Sequence, residues 1–208
     1  MAAAAQWIDI TFADFDLSIT LLIHKLYDLA GWFFSPIFQA MDFLGSAGVC
    51  VAFLLFLLFF VKKARPFIFA MMIGILAGVI LTNFGIKLFV QRTRPFLDQN
   101  SVYYELWKTV GAYIETDSSF PSGHVTATFS MLTPVFILGD KRKSWLVFLY
   151  AFIMMVSRVY LVVHYPTDVL GGMIVGIIAA IIGTLIARKL PRVCYTFEFF
   201  KKKPEKAA

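Results

Sequence analysis

Charge is scarce in this chain. Of its 208 residues only 15% are Asp, Glu, Lys or Arg, while 60% are hydrophobic and 23 are Phe. A soluble domain carries about 25% charged residues, so water is excluded as the bulk solvent, and a mean hydropathy of +0.78 agrees. Cysteine is nearly absent too. Cys50 and Cys194 alone exclude a disulfide framework, and the topology below sets them at opposite membrane faces, where they cannot pair. Internal repeats and low-complexity linkers are missing, which argues for one domain over residues 1–208. No set of Asp, Glu, His and Cys has the sequence spacing of a metal site. Residues 1–15 also lack the basic and apolar regions of a cleavable signal peptide.

What the chain does have is apolar length. Five segments approach the ~20 residues that a bilayer span requires: residues 47–61, 67–90, 125–138, 145–163 and 169–187. Residues 17–44 are apolar as well, but His24, Lys25 and Asp28 interrupt them and Pro36 breaks the remainder. One or two helices lying in the interface suit that stretch. The expected fold is therefore all-α, a polytopic helical membrane protein with five spans, or six if residues 1–45 include a first one. Residues 46–190 form the transmembrane core and residues 191–208 a basic cytoplasmic tail.

The net charge of +6 does not indicate a nucleic-acid partner, because the positive residues cluster at the ends of apolar runs. Lys62, Lys63 and Arg65, then Lys141, Arg142 and Lys143, then Arg188, Lys189, Arg192 and the "KKKPEK" tail mark the cytoplasmic side and meet anionic lipid. Asp9, Asp14, Asp16, Asp28 and Asp42 make the N-terminal region acidic, as suits the outer face. The connection at residues 91–122 and the "HYPT" turn then also face outward.

Those outward connections hold the unusual residues. In "KLFVQRTRP", Lys87 and Arg94 stand seven apart, two helical turns, so both would fall on one helix face, with Pro95 closing the span. In "SFPSGHV", Ser122 and Gly123 open a helix whose free N–H groups and dipole attract an anion, and His124 projects from the first turn. In "SRVYLVVHYPTD", Arg158 lies inside an uncharged span, where an arginine is costly. Pro166 ends the helix near His164 and re-aims its imidazole. Asp168 opens the next helix and can reach back to fix the tautomer of His164. Each residue has an ordinary reading alone: a snorkelling lysine, a capping serine, an interfacial arginine. Together, three cations and a helix N-terminus describe a phosphate or diphosphate pocket. The histidines supply a nucleophile or base and a separate acid.

The patterns K-x6-RP, PSGH and SR-x5-H-x3-D, complete here from Lys87 to Asp168, resemble the signature of the type 2 phosphatidic acid phosphatases, the PAP2 superfamily, in its bacterial membrane lipid phosphatase form. The resemblance implies a metal- and cofactor-independent hydrolase in the bacterial cytoplasmic membrane, its active site facing outward. His164 would attack phosphorus and form a phosphohistidine, oriented by Asp168, and His124 would protonate the leaving group. Lys87, Arg94, Arg158, Ser122 and Gly123 would bind the phosphoryl oxygens. Undecaprenyl diphosphate, phosphatidylglycerophosphate and phosphatidic acid are the implied kinds of substrate; oligomeric state is left open. A lipid phosphotransferase and a non-catalytic phospholipid-binding or transport protein are the rivals. The long connection between Arg94 and Pro121, rich in Tyr and Trp, suits an interfacial flap, with Lys108 able to meet a headgroup.

Overall fold

The computed structural model describes residues 3–190, which are helices and connecting turns without a strand. Cys194, Arg192 and the basic tail lie outside the described residues. A short helix α1 (Ala3–Thr11) leads into α2 (Ala13–Gly45), which bends at Ala30, where φ is −159° and ψ 56°. The helix runs on through Pro36, so the expected break falls six residues earlier. Ser46 then caps α3 (Ala47–Phe60), accepting from the Val49 N–H at 3.4 Å, and α3 departs from α2 at 67°.

Pro66 sits in the first turn of α4 (Arg65–Val79), where its missing N–H costs nothing. The helix widens into a π segment, Ile80–Ile86, before the last turn α5 (Lys87–Val90), and Gln91 stops it in the left-handed conformation at φ 49°. A 3-10 turn (Pro95–Leu97) and α6 (Val102–Thr109) occupy the long connection. Then come α7 (Gly123–Leu138), α8 (Lys141–Ser144), α9 (Val147–Tyr160) and α10 (Pro166–Lys189).

Lys62–Val90, Lys141–Tyr160 and Pro166–Lys189 are each long and apolar enough to cross a membrane, and α2 with α3 qualifies as a fourth, bent span. Helix α7 is apolar but shorter. Its companions in the bundle are α4 and α10. Glycine sets how near these helices come: a Cβ on Gly183 would lie 2.4 Å from the Gly74 nitrogen, and one on Gly172 2.6 Å from the Ser122 carbonyl oxygen. On the other side α9 packs on α2, with Phe38, Met154 and Tyr160 buried between them and Tyr160 sharing a 2.7 Å hydrogen bond with Ser35.

Chain direction settles which ends meet. The starts of α7 and α10 meet at the Ser122 N–H bond to the Asp168 carbonyl, at 3.0 Å. The residues that follow the Lys62–Val90 span and α9 join there, the Arg92 carbonyl accepting from the Ser119 N–H at 2.8 Å and Arg94 donating to the Val163 carbonyl at 2.7 Å. Lys62, Lys63, Lys141, Arg142, Lys143, Arg188 and Lys189 therefore gather at the opposite end, as their sequence positions imply.

Candidate active site

All eight residues singled out by the motifs come together at the end of the bundle where α7 and α10 start. Lys87, Arg94, Ser122, Arg158, His164 and Asp168 are buried, and with Gly123 and the half-buried His124 they surround one anion cradle beside a cavity of about 440 Å³. They arrive by different routes from those the spacing suggested. The helix stops at Val90, so Arg94 does not share a helix face with Lys87; it reaches the cradle from extended backbone. Helix α9 ends at Tyr160 rather than near His164, and a tight turn, with Val162 at φ 54°, carries the imidazole inward. The π segment puts Thr82 and Asn83 on the cavity wall just ahead of Lys87; π turns recur at functional sites because they re-aim the residues that follow.

The imidazole of His164 has a determined orientation. Its Nε2 lies 3.2 Å from Arg94 Nη1. A guanidinium only donates, so Nε2 carries the lone pair and the proton sits on Nδ1, 3.7 Å from Asp168 Oδ2. That gap is too long for a hydrogen bond, and Nδ1 has no partner. Burial, reinforced by the positive charge of Arg94, drives the His164 pKa well below its ordinary value, so the ring is neutral at neutral pH. Asp168 is held elsewhere: Oδ2 accepts from Ser119 Oγ at 2.5 Å and from the Tyr165 N–H at 2.9 Å, and Oδ1 from Arg92 at 2.6 Å.

Ser122 caps α7 by position only. Its hydroxyl makes no capping bond and is buried without a partner, as is Nη2 of Arg158. Buried polar atoms in folded proteins are nearly always paired, so both are groups waiting for an acceptor or donor. Gly123 turns its bare Cα toward Lys87, whose Nζ would stand 3.9 Å from an added Cβ.

What the motifs did not reveal is that the chain's own carboxylates fill the cradle. Glu115 Oε2 is 2.6 Å from Arg94 Nη2 and 3.7 Å from His164 Nε2; its Oε1 is 3.5 Å from Arg158 Nη1 and 3.9 Å from His124 Nδ1. Asp117 pairs with Lys87 and, at 2.5 Å, with Arg94. Asp42 pairs with Arg158 and lies 3.5 Å from His124 Nε2. Burial would raise the Glu115 pKa, but His164, Arg94, His124 and Arg158 outweigh it and hold the carboxyl below its usual range. Burial is likewise outweighed at Asp117, by Lys87 and then Arg94, leaving a pKa of about 2. The Glu115 carboxylate thus stands between the two histidines. Sequence offered one weak signal for these residues, the acidic character of the N-terminal region that includes Asp42. Glu115 and Asp117 fall in the segment read as a flap.

Asp42, Glu115 and His124 also bring ligand atoms within 4.8 Å of one another, a spacing open to a metal ion that no sequence pattern indicates. Both carboxylates are already paired with arginines, whose positive charge competes with any cation there. Lys108 lies away from the cradle, paired with Glu105 at 2.8 Å on an exposed face. His24 is buried in α2 and stacks on Tyr27.

The chain is similar in sequence and fold to known proteins. The crystal structure of Aquifex aeolicus LpxE matches with a TM-score of 0.64 at 28% identity, covering 80% of this chain and 93% of that one. The lipid A 4'-phosphatase of Porphyromonas gingivalis is 32% identical over 128 residues, 60% of this chain and 53% of that protein. Undecaprenyl-diphosphatase BcrC of Bacillus subtilis is 29% identical over 119 residues, 56% and 55% of the two chains. The chain spans about half the length of these two curated relatives. The PAP2 superfamily pattern matches residues 64–192, a segment that contains all three motifs and the helices presenting them, and the chain belongs to that superfamily.

Proposed function

We propose that this protein is an integral-membrane lipid phosphatase that hydrolyses a phosphate monoester or diphosphate on a lipid at the extracytoplasmic face, through a phosphohistidine. The observation that supports it most directly is the pair of histidines facing one cationic cradle. His164 presents an Nε2 lone pair and His124 stands across from it, with Arg94, Arg158 and Lys87 between. Phosphoryl transfer needs positioning and charge stabilisation above all, and this cradle provides both.

In the first step Nε2 of His164 attacks phosphorus while the bond to the lipid oxygen, or to the bridging oxygen of a diphosphate, breaks. His124 gives that oxygen its proton. Asp168 balances the imidazolium-like charge on His164. In the second step water gives a proton to His124 as it attacks the phosphohistidine; the N–P bond breaks and inorganic phosphate leaves. Arg94, Arg158, Lys87, the Ser122 hydroxyl and the N–H groups at the start of α7 carry the three equatorial oxygens. Glu115 and Asp117 must move aside for this, and Gly111 and Ala112, both at positive φ (115° and 52°), stand at the base of their segment. On the cavity wall Ala47, Val79, Ile114 and Ala127 provide an apolar lining suited to the first carbons of a lipid. The names of the relatives support undecaprenyl diphosphate and lipid A phosphates as the first substrates to try. The positive-inside distribution of Lys and Arg supports an outward-facing site.

The test is phosphate release by purified protein in detergent from undecaprenyl diphosphate, lipid A, phosphatidylglycerophosphate and phosphatidic acid, with and without EDTA. Turnover of at least one, resistant to EDTA, is expected. No turnover of any lipid phosphate refutes the phosphatase reading. Loss of turnover in EDTA refutes the metal-independent mechanism and assigns Asp42, Glu115 and His124 as ligands to examine.

A further inference from the structure

Arg92 lies two residues before the motif arginine, is almost fully buried, and meets the cradle residues through Asp168. Its guanidinium is spent on the far side of Asp168. Nη1 donates to Asp168 Oδ1 at 2.6 Å and to Thr167 Oγ1 at 2.7 Å, Nη2 to Asp16 Oδ2 at 2.9 Å, and Nε to Asp9 Oδ1 at 2.7 Å. Its Cζ lies over the Tyr165 ring, 3.9 Å from the ring centroid. Asp16, itself buried, also accepts from the Thr167 N–H at 2.8 Å and from its hydroxyl at 2.7 Å. One arginine therefore joins the N-terminal helices to the first turn of α10.

We propose that Arg92 is a positioning residue for the nucleophile: it keeps Asp168 ionised and fixes which carboxylate oxygen faces His164, and Asp16 of α2 holds Arg92 in place to do so. Asp168 is wholly buried, and a carboxylate without a counter-charge in such surroundings takes up a proton. Once protonated it no longer offers the negative charge that, across 3.7 Å, favours the His164 proton on Nδ1. Lys87, Arg94 and Arg158 are committed to the cradle, so Arg92 is the cation in direct contact with Asp168. Because Arg92 engages Oδ1, Oδ2 is left to accept from Ser119 and Tyr165 and to face the imidazole across 3.7 Å. Arginine suits this place because one planar fork serves several acceptors at once, which a lysine cannot do. Asp9 and Asp16 precede residues 64–192, so the N-terminal helices, outside the matched family segment, take part in setting the catalytic geometry.

The proposal rests on the phosphatase reading, so its test joins kinetics with a measurement that needs no turnover. Arg92→Gln, Arg92→Lys and Asp16→Asn are compared with the wild type, each normalised to folded protein by size-exclusion chromatography. Misplacing a catalytic group costs about 100-fold, so kcat of Arg92→Gln is expected to fall about 100-fold. KM is expected to stay within about threefold, since Arg92 does not reach the cradle; Arg92→Lys and Asp16→Asn should be intermediate, near tenfold, on the same reasoning. In 15N spectra of the imidazole, wild-type His164 should show its proton on Nδ1, and Arg92→Gln a mixture of tautomers. The proposal is overturned if Arg92→Gln keeps kcat per folded molecule within about threefold of wild type. It is equally overturned if the loss falls in KM, or if the His164 tautomer is unchanged. Should Arg92→Gln not fold, Arg92→Lys and Asp16→Asn carry the same criteria. An inert wild type with the expected tautomer shift refutes the phosphatase reading while leaving the positioning role supported.

Discussion

Replacing Glu115 by Gln removes one negative charge from the cradle and almost nothing else, because the amide has the same shape. The wild-type carboxylate gains chiefly from Arg94 Nη2 at 2.6 Å, with Arg158 Nη1 farther off at 3.5 Å. A hydrogen bond to a charged group contributes about 1.5–3 kcal/mol net, and a neutral acceptor about half as much. The Glu115 side chain retains 21% of its exposure, so the lower half of that range applies and the change is about 1 kcal/mol, or about fivefold in affinity. Inorganic phosphate, which competes for the same position, should therefore bind Glu115→Gln about fivefold more tightly. Titration calorimetry on purified protein at pH 7 reads this directly, since the depressed Glu115 pKa keeps the wild-type group charged there. Glu105→Gln is the control: Glu105 carries the same charge on the same connection but pairs with exposed Lys108, and its phosphate affinity should not change. If phosphate binds Glu115→Gln no better than wild type, the carboxylate does not occupy the phosphoryl position, and the reasoning fails.

Four further outcomes can be checked. His164→Ala should abolish phosphate release at every pH. His124→Ala should slow lipid substrates with poor leaving groups far more than aryl phosphates, and equal losses on both would remove His124 from the role of acid. The His164 pKa is lowered, so its neutral form persists as pH falls through 6.5 and is lost only at lower pH; imidazole 15N shifts that report a midpoint at or above 6.5 would contradict the burial and the Arg94 contact. Gly183→Ala sets a Cβ 2.4 Å from the Gly74 nitrogen and 2.7 Å from the Ala70 carbonyl, where backbone cannot yield cheaply. Overpacking of this kind costs about 1–3 kcal/mol, read as a lowered Tm in detergent, and an unchanged Tm would mean that α4 and α10 are not in such close contact.

The membrane class, the helical fold and the eight motif residues were legible because each rests on local rules. Apolar length reports the solvent, basic residues at the ends of apolar runs report sidedness, and Pro, Gly and Ser mark the turns that end or begin helices. Local rules failed where the backbone leaves its regular path. Seven-residue spacing implied a shared helix face for Lys87 and Arg94, but Gln91 ends the helix first, and Pro36 did not break α2 although Ala30 did.

Sequence by itself determined that this chain lives in lipid, that the motif cations and the two motif histidines fall at the same ends of its apolar runs, and which family it resembles. Only the tertiary structure decided what those groups touch. Asp42, Glu115 and Asp117 enter the cradle, and Asp9 and Asp16 reach Asp168 through Arg92. An acidic side chain in a polar stretch reads as solvated whichever way it points. Its partner can lie 151 residues away, as Asp16 and Thr167 do, and no periodicity records such a contact. Burial then converts that unrecorded contact into chemistry, because a charge removed from water must be met by an opposite one or give up its ionisation.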